Sequence, residues 1–229
     1  MERKKYRHEL KYPISFADYL IIRNRISKVM MSDPHSMRDG TYRIRSVYFD
    51  NADDKALREK EEGVALREKF RIRYYNDDKS FITLEKKMKA GSLCIKYDAG
   101  ITKEEYRKIL EGDTGWMKFH PSDIVRELYA KMTFQGLRPR VLVSYLREPY
   151  IYPPGNVRVT FDSEIRTSLI ADDLLSDTVN DISATDMPTD RLIEVKYDEY
   201  LPEIIQKLIQ VRDVRQESFS KYGTCRRYF

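Results

Sequence analysis

Cysteine is nearly absent from this chain: 229 residues hold two, Cys94 and Cys225. Their separation matches no metal or redox motif, so two idle thiols in a reducing compartment are expected. Histidine is as sparse. His8, His35 and His120 are scattered and form no pair at ligand spacing, which argues against a zinc site. No run approaches the ~18 apolar residues that a membrane-spanning helix needs. The opening "MERKKYRHELKY" lacks the apolar core of an export signal, so a cytoplasmic chain with no membrane segment of its own is expected. Internal repeats, low-complexity linkers and breaks in composition are missing too, so one α+β domain over residues 1–229 is expected.

What the chain has is charge and aromatic rings. Charged residues make up 34% of it, above the usual quarter, and aromatics 12%, with 17 Tyr and 9 Phe. The surplus of 42 basic over 37 acidic residues is only five, so the location of the cations matters more than their total.

Much of the sequence alternates with period two, the signature of strands. Candidates are 6–12, 42–50, 64–75, 80–89, 93–98, 140–150, 156–162, 165–170 and 192–197. Turn signals at 76–80, 89–92 and 152–156 join several of them into hairpins, so a largely antiparallel sheet is expected. Helical patterns occupy 15–31, 102–110, 122–134 and 202–211, with a short one at 51–61. "TKEE" at 102–105 reads as a capping box. The acidic, aperiodic stretch 171–190 reads as a surface loop.

In "REKFRIRYY" (67–75), Lys69, Arg71 and Arg73 alternate with Phe70, Ile72 and Tyr74. The same parity recurs in Arg7, Glu9 and Lys11, in Glu85, Lys87 and Lys89, in Arg158, Thr160 and Asp162, and in Glu194 and Lys196. A sheet with one wet face gives this pattern in any single strand. Taken together, the strands point elsewhere. Four amphipathic helices need apolar surface to pack on, and the apolar strand faces supply it. The charged faces, dominated by Lys and Arg, must then lie opposite. Like charges on neighbouring strands destabilise a sheet unless an anion intervenes. Closing about eight strands into a barrel turns those faces inward, with Glu9, Glu85, Asp162 and Glu194 partly pairing the cations and a bound polyanion completing the balance. Arg7 is expected at a solvated terminus, Lys89 and Arg45 facing outward, and Ser218 as a cap for a final helical turn. Cations spread over many strands rather than one helix or patch argue against nucleic acid.

"RHELKY" at 7–12 resembles the first-strand ExExK motif of the triphosphate tunnel metalloenzymes, the CYTH-like superfamily, with Arg7 replacing the first acid. That variant resembles the VTC (vacuolar transporter chaperone) domain, the polyphosphate polymerase branch. "SVYFDN", "REKFRIRYY", "LEKK", "SYLREPY", "VRVTFD", "LIEVKYD" and "SFSKYGTC" follow in matching order from residue 46 to 225. The resemblance implies a closed antiparallel β-barrel (tunnel) of about eight strands with helices on its outer face. It further implies transfer of the γ-phosphate of ATP onto a polyphosphate chain, with Mn²⁺ or Mg²⁺. By matching motifs, Lys11, Arg71, Arg73, Arg158 and Lys221 take catalytic places. Glu9, Lys87, Arg147, Lys196 and Ser220 bind substrate, and Glu194 holds the metal. Eukaryotic relatives couple synthesis to a membrane channel, so a membrane-protein partner fits.

The chemistry agrees. Phosphoryl transfer needs positioning and charge neutralisation, which Arg forks and Lys point charges supply. A hydrolase needs a positioned water and a carboxylate to activate it, so Arg7 in place of an acid argues against a triphosphatase with two carboxylate-held metals. A module that binds triphosphate or polyphosphate without turnover and a metal-dependent triphosphatase are the other two readings.

Overall fold

The computed structural model describes residues 6–169, 174–176, 179–184, 191–212 and 214–228. The alternating segments form ten strands: β1 (Arg7–Ile14), β2 (Met31–Ser32), β3 (Tyr42–Asp50), β4 (Leu66–Tyr75), β5 (Asp78–Ala90), β6 (Leu93–Ile101), β7 (Arg138–Tyr152), β8 (Val157–Leu169), β9 (Ile182–Ser183) and β10 (Arg191–Tyr197). Eight of them close into an antiparallel barrel in the order β7-β3-β4-β5-β6-β1-β10-β8, with β8 pairing back onto β7. The two-residue strands β2 and β9 extend β7 and β8 outside that ring. The narrowest seam is between β1 and β6, which pair only through Arg7↔Cys94 and His8↔Leu93.

Six helices accompany the sheet: α1 (Phe16–Ile26), α2 (Lys55–Glu61), α3 (Lys103–Glu111), α4 (Asp123–Phe134), α5 (Glu203–Ile209) and α6 (Lys221–Arg226). The apolar strand faces carry them. Phe70, Ile72, Tyr74, Ile82 and Leu84 are buried under Tyr106 and Ile109 of α3 and Val125, Leu128 and Met132 of α4. On the other side Val157, Val159, Phe161, Ile193 and Val195 pack against Ile22 and Ile26 of α1 and Ile205 of α5. Each such side chain contributes on the order of 1.5–3 kcal/mol of hydrophobic stabilisation. With both outer faces covered, the charged parity has only the lumen left to face. None of the described helices is long and apolar enough to cross a membrane.

Several elements differ from the sequence expectation. The helix expected over 15–31 stops at Ile26. Ser27 caps it, and Met31 and Ser32 pair with Ile151 and Tyr150 instead. The helix expected over 51–61 starts at Lys55, because Asp50 accepts from the backbone N–H groups of Ala56 and Leu57 and sets its first turn. The helix expected over 202–211 ends at Ile209. Residues 156–162 and 165–170 were expected as two strands; one strand, β8, runs through 157–169. A bulge at Glu164 (φ 50°) absorbs the register shift opposite Ser144 and Leu146. The stretch 171–190 lies partly outside the described residues. Within them it is no plain surface loop: Leu174, Leu175 and Ala184 are buried, and Ile182–Ser183 pairs with β8.

The final helical turn expected after Ser218 is a short helix, α6. It begins at Ser220, whose hydroxyl accepts from the Gly223 N–H, rather than at Ser218. Tyr222 and Cys225 pack on Tyr42, Ile44, Tyr48, Val141, Val143 and Tyr145. Those residues share the inward parity of β3 and β7, so α6 closes part of the barrel from within. The Tyr222 hydroxyl donates to Asp50, 2.6 Å, which ties α6 to the carboxylate that organises α2.

Candidate functional site

The lumen holds a cavity of about 690 Å³. Strand register explains its lining. Tyr48 stands opposite Arg71 and Ser46 opposite Arg73; Arg71 faces Glu85, which faces Asp98. Across the seam Glu9 faces Lys196, which faces Arg158, and Lys11 faces Glu194. Arg147 stands opposite Asp162. All eleven residues named from the sequence, Lys11, Arg71, Arg73, Arg158, Lys221, Glu9, Lys87, Arg147, Lys196, Ser220 and Glu194, line this one cavity. Fourteen Lys and Arg side chains and five Asp and Glu side chains line it altogether. The local excess of nine exceeds the +5 of the whole chain, so the residues outside the lining are on balance acidic.

Buried carboxylates hold the cations apart in three groups. Glu85 accepts from Arg71 Nε (2.9 Å) and pairs with Arg73 (2.6 Å) and Lys96 (3.0 Å). Glu9 accepts from Lys87 at 2.7 Å, with Lys196 at 3.7 Å and Lys11 at 3.8 Å. Glu194 receives Lys221 at 2.9 Å, Arg147 at 3.0 Å, Lys196 at 3.2 Å and Lys11 at 3.6 Å. Arg147 also grips Asp162 with two parallel bonds of 2.6 and 2.7 Å, and Lys221 reaches the same carboxylate. Burial alone would raise the pKa of Glu9, Glu85 and Glu194. The surrounding cations outweigh it and hold all three well below the usual carboxylate range.

The cations respond in kind. Burial pulls Lys221 down, but Asp162 and Glu194 raise it above the ordinary lysine value. For Lys196 burial prevails over Glu194, and with Arg147 close by it falls to about 8. Burial, aided by Lys11 and Arg67, pushes Lys69 down to about 7. Tyrosine rings support several of these charges: Arg73 lies over Tyr75 at 4.8 Å, Lys221 over Tyr145 at 4.8 Å, and Arg71 over Tyr48 at 5.7 Å. Arg158 is drawn to one side, donating to Asp33 (2.5 Å) and to the Tyr42 hydroxyl (2.8 Å).

Several buried polar atoms on the inward parity make no hydrogen bond among the described residues, among them Arg73 Nε, Arg158 Nε, Ser46 Oγ and Thr160 Oγ1. Two of them are guanidinium donors with no acceptor among the described residues. Such a site suits an oxygen-rich anion. Among the described residues no group of three or more His, Cys, Asp or Glu side chains is arranged to hold a metal ion. Glu194 fits a divalent cation only as one carried in by phosphates, which then supply most of its oxygen ligands.

Sequence reasoning missed part of the lining. Lys89, expected to face outward, lines the cavity, because it stands directly opposite Arg67. Arg45 does face out, donating to the Tyr74 hydroxyl. Arg7 lines the cavity's edge and pairs with Asp198 at 2.9 Å rather than lying free in solvent. Arg67 and Lys96 share the charged parity and could have been found by continuing it. Asp33, Lys60 and Tyr222 carry no sequence signal of their contacts.

A closed antiparallel barrel with a cationic lumen defines a tunnel-type domain. The chain belongs to the VTC domain family, whose model matches residues 6–229, and is thereby a polyphosphate-related tunnel domain. Among curated protein sequences none matches. Two solved structures share the fold. An adenylate cyclase-like protein from Bacillus halodurans is 16% identical, with 90% of this chain and 87% of that one covered and a TM-score of 0.50. The PH1819 protein from Pyrococcus horikoshii OT3 is 15% identical, with 95% and 96% covered and a TM-score of 0.50.

Proposed function

We propose that this chain is a polyphosphate polymerase-type phosphotransferase, moving the γ-phosphate of ATP onto a polyphosphate chain held inside the barrel. The observation that carries this reading is the inward cationic excess of nine, with the Arg73 and Arg158 Nε donors still lacking acceptors. A terminal phosphate oxygen of the acceptor chain attacks the γ-phosphorus. The bond from that phosphorus to the β,γ-bridging oxygen breaks, and ADP leaves with the electron pair. The attacking oxygen is already ionised, so no general base is needed.

In this reading Arg71, Arg73 and Arg158 clamp equatorial phosphate oxygens with planar forks, while Lys11, Lys87, Lys196 and Lys221 neutralise charge as it shifts. Ser220 Oγ accepts from Lys69, which leaves its own O–H free to donate to a phosphate. Arg147 stays fastened to Asp162 and Glu194 and orders the floor of the site. Glu194, with the substrate phosphates, would hold Mn²⁺ or Mg²⁺, and Glu9 would orient Lys87 beside it. When bound, that ion supplies further neutralisation of the phosphate oxygens.

Transfer is favoured over hydrolysis by the state of the carboxylates. Glu9, Glu85 and Glu194 are all held well below the ordinary range by cations, which makes them weak proton acceptors for an attacking water. The test is to incubate the purified chain with ATP and Mn²⁺. ADP release with growth of long-chain polyphosphate is expected. Free phosphate as the sole product points to a triphosphatase, and thermal stabilisation by triphosphate without turnover points to a binding module; either overturns the transferase reading. A cytoplasmic site of action and a membrane-protein partner for the product belong to the same proposal.

A further inference from the structure

The lysines of the lumen differ in what holds them. Lys87 meets Glu9 at 2.7 Å, Lys196 meets Glu194 at 3.2 Å, Lys221 meets Glu194 at 2.9 Å, and Lys11 lies 3.6 Å from the same carboxylate. Lys69 lines the same cavity, and among the described residues no carboxylate stands within ion-pair distance of it. Its Nζ donates to Ser220 Oγ at 3.3 Å and lies over the Tyr222 ring at 5.0 Å. Both contacts come from the start of α6, and neither carries a full charge.

The elements packed around this amine press cations on it. Lys11 approaches from β1, Arg67 from β4 and Lys60 from α2, and Lys87 stands opposite on β5. Asp50 of β3 opposes them, but its oxygens already receive the Tyr222 hydroxyl and the N–H groups of Ala56 and Leu57. A proton on Lys69 is therefore disfavoured by lost hydration first and by Lys11, Arg67 and Lys60 after it. Together they bring the group down to about 7, so about half of it is neutral at that pH. A neutral amine that spends one N–H on Ser220 Oγ keeps its lone pair free. It is a nucleophile standing in a cavity whose charge concentrates anions.

We propose that Lys69 is a covalent acylation site, taking the acyl group of an acyl phosphate that the cationic lumen draws in by its phosphate. The nitrogen lone pair attacks the carbonyl carbon of the donor and forms the C–N bond. The bond from that carbon to the bridging oxygen breaks, and inorganic phosphate leaves with the electron pair. One amine proton passes to the departing phosphate, which leaves an amide on Lys69. Amine and donor are the only reactants. Lys11 and Arg67, beside the amine, neutralise the phosphate as it departs. The amide is uncharged, so the step removes one cation from the lining. It requires no turnover of ATP and so stands or falls apart from the phosphotransfer reading.

The purified chain is incubated with acetyl phosphate at neutral pH, and acetylation of each lysine is followed by peptide mass spectrometry. Lys69 is expected to react roughly tenfold or more faster than the exposed Lys28 and Lys207, because an ordinary lysine, with a pKa of about 10.4, is almost wholly protonated there. Inorganic triphosphate is expected to slow Lys69 and not the other two, by filling the lumen and keeping the amine protonated. Lys60→Glu turns one repelling neighbour into a carboxylate and is expected to slow Lys69 severalfold, with circular dichroism reporting that the variant folds. With p-nitrophenyl acetate, a neutral donor, the preference for Lys69 is expected to shrink. Acetylation of Lys69 no faster than that of Lys28 and Lys207 overturns the site. So does a Lys69 rate that triphosphate, or Lys60→Glu in a folded chain, leaves unchanged. An equal preference with the neutral donor overturns the assigned donor class.

Discussion

Lys221 shows what one buried charge does here. Its side chain is 6% exposed and meets the carboxylates of Asp162 and Glu194, at 0% and 7%. Lys221→Met strands those acids with Arg147 as their main partner, so a loss of about 3 kcal/mol in urea unfolding is expected. Glu203→Ala breaks only an exposed pair with Lys207, and a change within about 0.5 kcal/mol is expected. Titration gives a second prediction. Folding lowers Lys69 from 10.5 to about 7, so between these values the unfolded chain carries more protons there. That group's contribution to stability rises with pH across this window, and its burial is unfavourable below it. Glu9, Glu85 and Glu194 are depressed from 4.5, so their contribution is present above that value and is lost as pH falls below it. An anion beside Lys69 and Lys196 reverses their depression. Triphosphate binding between pH about 7 and 8 is therefore expected to take up protons, read by calorimetry in buffers of differing ionisation enthalpy, with less uptake in Lys69→Met. Zero uptake contradicts the arrangement of these lysines around an anion.

At the scale of elements, turns and caps set the register that aims the charged residues. Gly155, between β7 and β8, has φ 73°, and a Cβ there would lie 2.8 Å from the Tyr200 carbonyl oxygen. Gly155→Ala is expected to destabilise by about 2 kcal/mol or more, through backbone strain and displacement of the 198–202 segment. Thr102→Ala, which removes half of a capping box, is expected to cost about 1 kcal/mol. These elements differ in how legible they are. The capping box was written in "TKEE", and the alternation in 67–75 was visible because Phe70, Ile72 and Tyr74 never break it. Parity stays clear along β4 because one face must meet α3 and α4. Helix α6 was legible only as a final turn with its cap misplaced at Ser218, for the opposite reason: "KYGTCR" is six residues long, contains Gly223 and has no periodic face, so its tertiary packing makes it a helix. The bulge at Glu164 splits one strand into two apparent ones, since a residue at positive φ interrupts the alternation. Lys89 was placed outside because a strand end offers too few neighbours to fix its parity.

For the molecule as a whole, the inversion of the usual order is the organising fact. Apolar strand faces lie outside beneath helices, and a cationic lumen lies within, balanced by a few deeply held carboxylates. Period-two patterning and the need of the helices for apolar surface made that inversion readable. The pairing of Arg158 with Asp33 was not, because it joins side chains 125 positions apart. An unliganded lumen with an excess of nine cations is a source of repulsion that a bound polyanion relieves. Triphosphate at a hundredfold excess over its Kd is expected to add about 2.7 kcal/mol. That corresponds to a rise in Tm on the order of 5–10 °C for a domain of this size. Arg71→Ala should shrink the rise at equal triphosphate, whereas Arg45→Ala, on the outer face, should leave it unchanged.

The central claim concerns which side of the sheet meets phosphate, and a crystal structure of the chain grown with triphosphate tests it most directly. The account predicts phosphate density inside the barrel, within hydrogen-bonding distance of Arg71, Arg73 and Lys221. Density confined to the outer surface, with the lumen holding only water, would contradict it.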